Sequence, residues 1–276
     1  MKLVVTGAKG TIGQAVVRYA LSQGAQVLAV DNVGRGDGEG HYLAADLTDL
    51  GQCCEVLQGA DAVINLAAIS AALQRSSAQT LMTNVAITYN VCMAAALVGV
   101  QRVVWASSVQ VFHSYPTLRR AQYRYFPVDE DHPNDPQNAY ALSKVLGEQI
   151  AEYFAHQHGL TTLSLRLPEV VPPEIWSELP RPIEPWEHSP LPHYVHLEDC
   201  ARVCYLAATV PLPPATHHVL LITAEDTSAD QPTLSIIQRY YPDAEIRAEL
   251  PGYAAMLSGK RAERLLGFQP QYRCHQ

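Results

Sequence analysis

The stretch Asn138-Ala139-Tyr140-Ala141-Leu142-Ser143-Lys144 sets a phenol and an ammonium four residues apart. On a helix, positions i and i+4 lie on one face, so the Lys144 ammonium can sit beside the Tyr140 hydroxyl. A neighbouring positive charge favours the phenolate and lowers a pKa that is otherwise about 10. Tyr140 would then exchange a proton near neutral pH. Asp135 as N-cap, Pro136 at the first helical position and Gly159 as terminator bracket the helix. A Tyr/Lys pair at this spacing is common on helix surfaces, so the elements around it decide what it does.

Those elements alternate from the amino terminus. Lys2 to Thr6 is a short apolar run, followed by Gly7-Ala8-Lys9-Gly10-Thr11-Ile12-Gly13 and a helical pattern through Val16, Val17, Ala20 and Leu21. In a strand-turn-helix setting, Gly7 permits the tight turn, Gly10 lets the backbone approach a pyrophosphate, and Gly13 allows helix to pack on strand. The helix N-terminus then turns free N–H groups toward the phosphates. A second strand, Gln26 to Val30, ends at Asp31-Asn32, where a carboxylate suits a ribose 2′-hydroxyl and opposes a 2′-phosphate. NAD is therefore preferred over NADP, with Arg35 as the residue that tempers the preference. Asp46 in Ala45-Asp46-Leu47-Thr48 either reaches an adenine amino group or, like Thr48, caps the next helix. Asp61 to Ala68 reads as a strand buried on both faces, and its small end, Ala67-Ala68, lets a cofactor lie close. Asn84 opens a long apolar helix. Gln101 to Ala106 is a fifth strand that delivers Ser107-Ser108 at its carboxyl end, where open α/β sheets bind ligands.

Composition narrows the classes. With 276 residues, 48% of them hydrophobic, the chain can bury a large core. Nineteen basic against 27 acidic residues give −8, which offers no electrostatic footprint for nucleic acid and no polybasic membrane patch. No signal peptide is expected in Met1-Lys2-Leu3-Val4-Val5 and no apolar run of membrane-spanning length, so a cytoplasmic protein is expected. The six cysteines show no CxxC unit and are expected as reduced thiols, Cys200 and Cys204 sharing a buried helix face. The eleven histidines lack ligand spacing, and no metal is expected.

Thr6-Gly7-xx-Gly10-xx-Gly13, Asp31-Asn32, Asp46-Leu47, Asn65-Leu66-Ala67-Ala68, Asn84, Ser107-Ser108, Tyr140-xxx-Lys144, Arg166, His196-Leu197-Glu198-Asp199 and Leu266-Gly267-Phe268-Gln269-Pro270 occur in a telling order. It resembles that of extended short-chain dehydrogenases/reductases, the NAD-dependent epimerase/dehydratase family. The resemblance implies a doubly wound parallel Rossmann sheet with a small C-terminal substrate-side subdomain. Residues 1–166 would form the NAD-binding core, with 194–223 returning to it; 167–193 and 224–276 would form the substrate part. It also implies Tyr140 as general base or acid, Lys144 on the nicotinamide ribose, and Ser108 on the reacting oxygen. NAD would contact Gly7, Gly10, Thr11, Ile12, Gly13, Asp31, Asn32, Asp46, Leu47, Leu66, Ala67, Ala68, Asn84, Tyr140 and Lys144. Ser70, Ser107, Ser108 and Arg166 would meet the substrate, although Arg166 is at least as apt for a structural role. Arg75, Arg181 and His113 are further cations that could line the pocket.

Departures from the family pattern narrow the substrate. Sugar-nucleotide dehydratases of the family resemble one another in an Asp-Glu pair after the catalytic Ser/Thr; Val109-Gln110 stands here, so elimination of water is disfavoured. Glu169 stands where nucleotide-sugar enzymes carry an asparagine, and its charge opposes a diphosphate. The proline-rich segment from Pro172 to Pro192, with Trp176 and Trp186, reads as a compact loop over the site rather than a long nucleotide-binding lobe. The arrangement resembles compact members such as uronate dehydrogenases. Oxidation of a small sugar or sugar acid is expected, with a nucleotide-sugar epimerase and a non-catalytic NAD-sensing protein as alternatives. A homodimer through a four-helix bundle is expected from the apolar helices starting near Asn84 and Gln137. The basic, aromatic stretch Tyr115 to Phe126 is expected as a solvated loop or partner surface.

Overall fold

Short β-branched runs separated by turns form seven parallel strands, and amphipathic segments between them form the crossovers. The computed structural model describes residues 1–33, 41–70, 75–113, 122–183 and 191–275. Strands β1 (Lys2–Thr6), β2 (Gln26–Asp31), β3 (His41–Ala44), β4 (Ala62–Asn65), β5 (Arg102–Ser108), β7 (Thr161–Leu167) and β10 (His217–Leu221) pair in the order β3-β2-β1-β4-β5-β7-β10. The order reverses between β1 and β4, which places a ligand crevice at their carboxyl ends. This is the doubly wound sheet the sequence predicts.

Helices cover both faces, as an all-parallel sheet requires. On one face α1 (Thr11–Ser22) and α5 (Leu197–Thr209) pack with the last helix, α7 (Lys260–Leu266), around Leu3, Val5, Ile64, Leu163 and Leu220. On the other, α2 (Leu50–Leu57), α3 (Ser77–Val98) and α4 (Ala139–His158) pack around Val4, Val63, Val103 and Phe154. Every residue of β4 and of β7 is buried, whereas the edge strand β3 is mostly exposed.

The remaining elements build a smaller unit beside the crevice. Strand β6 (Tyr125–Phe126) pairs with β11 (Glu245–Ile246), and β8 (Glu169–Val171) with β9 (Tyr194–His196). Val111, Phe112, Phe126 and Val128 join Ile236 and Ile237 of α6 (Thr233–Tyr240), Leu250 and Met256 in one cluster. Tyr123, Tyr125 and Phe126, expected in a solvated loop, are therefore core residues; 114–121 lie outside the described residues.

Several expected boundaries move. Helix α4 begins after Asn138, whose side chain accepts the Ala141 N–H at 2.8 Å, so neither Asp135 nor Pro136 is part of it. Helix α2 is capped by Asp49, leaving Asp46 and Thr48 outside it. Helix α3 starts after Ser76, which accepts the Gln79 N–H; Asn84 lies inside the helix instead of opening it. At 22 residues, α3 is also long and apolar enough to cross a membrane by length and composition, contrary to the sequence expectation. In this fold it lies in the helical layer over the sheet, with Thr80, Asn84 and Thr88 buried.

Candidate active site

A cleft of about 880 Å³ opens along the carboxyl ends of β1, β2, β4, β5 and β7. Its floor at one end is the glycine turn. Gly7 holds φ +65°, and a Cβ there would sit 2.8 Å from the Ala67 nitrogen. A Cβ on Gly13 would come to 2.1 Å from the Gly7 carbonyl oxygen, so the backbone packing itself excludes any side chain. Helix α1 starts after Gly10 with no side-chain cap, which leaves its first N–H groups, from Thr11, Ile12 and Gly13, for an anion. Asp31 ends β2 on the cleft wall. Its Oδ2 accepts the Lys9 N–H at 2.9 Å and its Oδ1 the Asn32 N–H at 2.8 Å, which fixes the carboxylate for a diol. Across the cleft, Asp46 Oδ1 accepts both the hydroxyl and the N–H of Thr48, and these bonds hold its carboxyl below the usual range. Leu47, Leu66, Ala67 and Ala68 complete this half. A cradle that any Cβ would fill, an open helix terminus and a pinned carboxylate fit a dinucleotide. Arg35, the residue that tempers the preference for NAD, lies outside the described residues.

Asn84 does not line the cleft. Its Oδ1 accepts the Ile69 N–H at 2.8 Å, and its Nδ2 donates to the Ile69 carbonyl and to Ser143 Oγ. It ties the loop after β4 to α4, and thereby sets where Ala68, Ser70 and Tyr140 stand relative to one another. The expected contact with a cofactor becomes a support role.

At the other end of the cleft, at the carboxyl end of β5, Ser108, Tyr140 and Lys144 converge. Ser108 is hydrogen-bonded to the half-buried Tyr140 phenol and also accepts the Gln110 N–H. Lys144 Nζ donates to the Ala106 carbonyl at 2.6 Å, lies 4.8 Å from the Trp105 ring centroid and 5.4 Å from that of Tyr140. Burial pushes Lys144 down to about 8, with Glu148 pulling upward. The phenol departs from the expectation. Burial raises the Tyr140 pKa, only partly offset by Ser108, and the ammonium that was to lower it is turned onto a backbone carbonyl.

Ser107 and Arg166 belong to a different unit. Ser107 Oγ donates to Glu148 Oε1 at 2.7 Å; Arg166 grips the same carboxylate through Nε at 2.9 Å and Nη2 at 2.8 Å. The guanidinium also donates to the Glu130 carbonyl and Asn134, and lies over Phe112. With both partners buried and its donors engaged, Arg166 does not line the cleft, which corrects the expectation that it holds substrate. This buried pair locks β7 to α4 one turn beyond Lys144.

The substrate end is walled by Ser70, Gln110, His113, Glu169, Arg181 and His193. Glu169, expected to repel anions, forms an ion pair with Arg181. Arg75 lies away from the cleft lining. His193 was not anticipated; its position directly before the short strand β9, which returns beside β8, was the available signal. Among the described residues, one cluster of metal-ligating types occurs, Asp226, Cys274 and His275. Its side chains are already hydrogen-bonded: Asp226 accepts from Tyr194 Oη and the His275 backbone N–H, and His275 Nε2 pairs with the Ala229 carbonyl. All six cysteines are free thiols.

The sheet order, the glycine cradle and the Ser108-Tyr140-Lys144 cluster define an enzyme that works with a dinucleotide. Residues 3–220 match the profile of the NAD dependent epimerase/dehydratase family. The chain belongs to that family. A uronate dehydrogenase from Pseudomonas syringae pv. tomato is 26% identical over 215 residues, covering 76% of this chain and 70% of the relative. An L-arabinose 1-dehydrogenase (NAD(P)(+)) from Haloferax volcanii is 28% identical over 235 residues, covering 82% and 89%. Among solved structures, MoeE5 in complex with UDP-glucose and NAD superposes with a TM-score of 0.75 at 24% identity, covering 99% of this chain and 94% of that one. That likeness establishes the fold.

Proposed function

We propose that this chain is an NAD-dependent oxidoreductase that oxidises a secondary alcohol or hemiacetal of a small sugar or sugar acid. The observation that carries the reading is the hydrogen bond between Ser108 and Tyr140 on the cleft wall, with Lys144 on the same helix face. Bound NAD supplies the hydride acceptor and a positive ring. Ser108 would orient the substrate oxygen toward Tyr140, and Tyr140 would remove its proton, with Lys144 stabilising the phenolate. Asp31 reads the ribose diol and the α1 terminus the pyrophosphate. Val109 and Gln110 carry no carboxyl, which argues against elimination of water. The short segment between β8 and β9 supports a substrate without a nucleotide.

We also propose a cytoplasmic homodimer. Met82, Tyr89 and Leu97 on α3 and Tyr153 on α4 are large, exposed and apolar, and a second copy across them would complete a four-helix bundle. Light scattering would give twice the monomer mass, and Met82→Glu with Leu97→Glu would halve it.

The function is tested by mixing the protein with NAD and a panel of aldoses and uronic acids while following absorbance of the reduced cofactor. At least one sugar should reduce NAD, and Tyr140→Phe should lower kcat by about 10²–10⁴ while NAD affinity stays within a few fold. Interconversion of a nucleotide sugar without net reduced cofactor, or full activity in the phenylalanine variant, refutes the proposal.

A further inference from the structure

We propose that His113 and His193 form a pair that reads substrate hydroxyls, and that the substrate is a neutral aldose rather than a sugar acid or nucleotide sugar. The inference rests on the oxidoreductase reading and narrows it. His113 follows the turn after β5, and His193 directly precedes β9. Their rings meet edge to face with centroids 5.8 Å apart, both line the substrate end of the cleft, and each is 4% exposed.

Each ring has one nitrogen without a partner among the described residues. His113 Nδ1 lies 2.5 Å from the Tyr123 hydroxyl, but His113 Nε2 and His193 Nδ1 have no partner among the described residues. Buried polar atoms are costly when unmatched, and a cleft is where a ligand can match them. Tyr123 is buried and stays protonated, and in the tautomer in which its O–H donates to His113 Nδ1 the imidazole proton resides on Nε2, a donor. Burial pushes His113 down to about 4 and holds His193 well below the usual imidazole range, the latter also opposed by His113, so both rings are neutral at physiological pH.

Among the described residues, the rest of the wall adds no surplus positive charge. The positive side chains lining the described cleft are Lys9, Lys144 and Arg181. Lys9 flanks the glycine turn, Lys144 is bound to the Ala106 carbonyl, and Arg181 is matched by Glu169. A carboxylate or diphosphate entering here would be desolvated against neutral imidazoles and Glu169, whereas a hydroxyl can accept from or donate to either nitrogen, whichever tautomer its ring carries.

The test uses matched sugars that differ only at C6, glucose with glucuronate and galactose with galacturonate, as substrates of the wild type with NAD. The aldose of at least one pair should exceed its acid tenfold or more in kcat/KM. His193→Phe, which keeps the ring contact, should raise the aldose KM about tenfold with a smaller change in kcat. His113→Phe should do the same. His193→Phe carries the test if loss of the Tyr123 partner unfolds the other variant. NAD affinity and melting temperature at wild-type values establish that a variant is folded. Equal or better turnover of the acids, or an unchanged KM in folded His193→Phe, overturns the inference and leaves the oxidoreductase reading standing. Failure of every sugar to reduce NAD overturns both.

Discussion

Replacing Lys144 by methionine should make this protein more stable while removing its activity. The side chain is buried between Trp105 and Tyr140, and methionine keeps much of its stem. Burial drives the ammonium from an ordinary 10.5 to about 8, a gap that corresponds to about 3 kcal/mol of cost to the folded state. The bond to the Ala106 carbonyl is lost in the variant, which returns about 1 kcal/mol. A net gain of about 2 kcal/mol raises Tm by roughly 4–8 °C at pH 7. The gain has a pH signature. Below about 8 both folded and unfolded wild type hold the proton, so the full cost is present. Between about 8 and 10.5 the unfolded chain binds the proton and the folded chain does not, so wild-type stability rises with pH and the advantage of the variant shrinks. Paired thermal melts at pH 7 and near the upper end of that window measure both effects. A wild type more stable than the variant at pH 7, or an advantage independent of pH, would refute the reasoning.

Two further substitutions probe the supports. Glu148→Ala removes the carboxylate that grips the buried Arg166 guanidinium and should cost about 3–5 kcal/mol in denaturant titration; a loss under 1 kcal/mol would show that the pair is dispensable. Gly13→Ala puts a Cβ 2.1 Å from the Gly7 carbonyl oxygen, so the glycine turn must open. NAD affinity, measured by fluorescence titration, should fall at least tenfold, and unchanged affinity would contradict the assigned cradle.

The sequence carries the local logic of this site well and its tertiary electrostatics poorly. Strand, glycine turn and helix at residues 2–22 are adjacent in the chain, and Tyr140 and Lys144 are one helical turn apart, so pattern alone places them. The direction of the Tyr140 pKa is another matter. The four-residue spacing brings the ammonium close, but burial of the phenol and capture of Lys144 by the Ala106 carbonyl depend on β5, more than thirty residues away. Arg166 is ambiguous for the same reason: its carboxylate partner, Glu148, sits on the preceding helix, and no local rule joins them. Two helix starts are legible in local sequence. Ser76-Ser77-Ala78-Gln79 has the capping-box form, and Asn138 is as good a cap as Asp135. The pairing of Glu169 with Arg181 crosses a turn of chain, and the meeting of His113 with His193 joins residues on either side of β6, α4, β7 and β8, so no local pattern specifies either.

The order of the sheet also bears on how the protein is made. Leu3 pairs with Ala62, Arg102 with Thr161 and Thr162 with His217, so the central pairings all await the closing of long crossovers. Chains built on such distant contacts fold slowly and expose unsatisfied strand edges on the way. The cleft draws its walls from β1, β4, β5 and β7 together, so it exists only after the last of these joins. Recovery of NAD binding during refolding should therefore lag the return of helical signal, and makes a stricter measure of a correctly assembled preparation than secondary structure does.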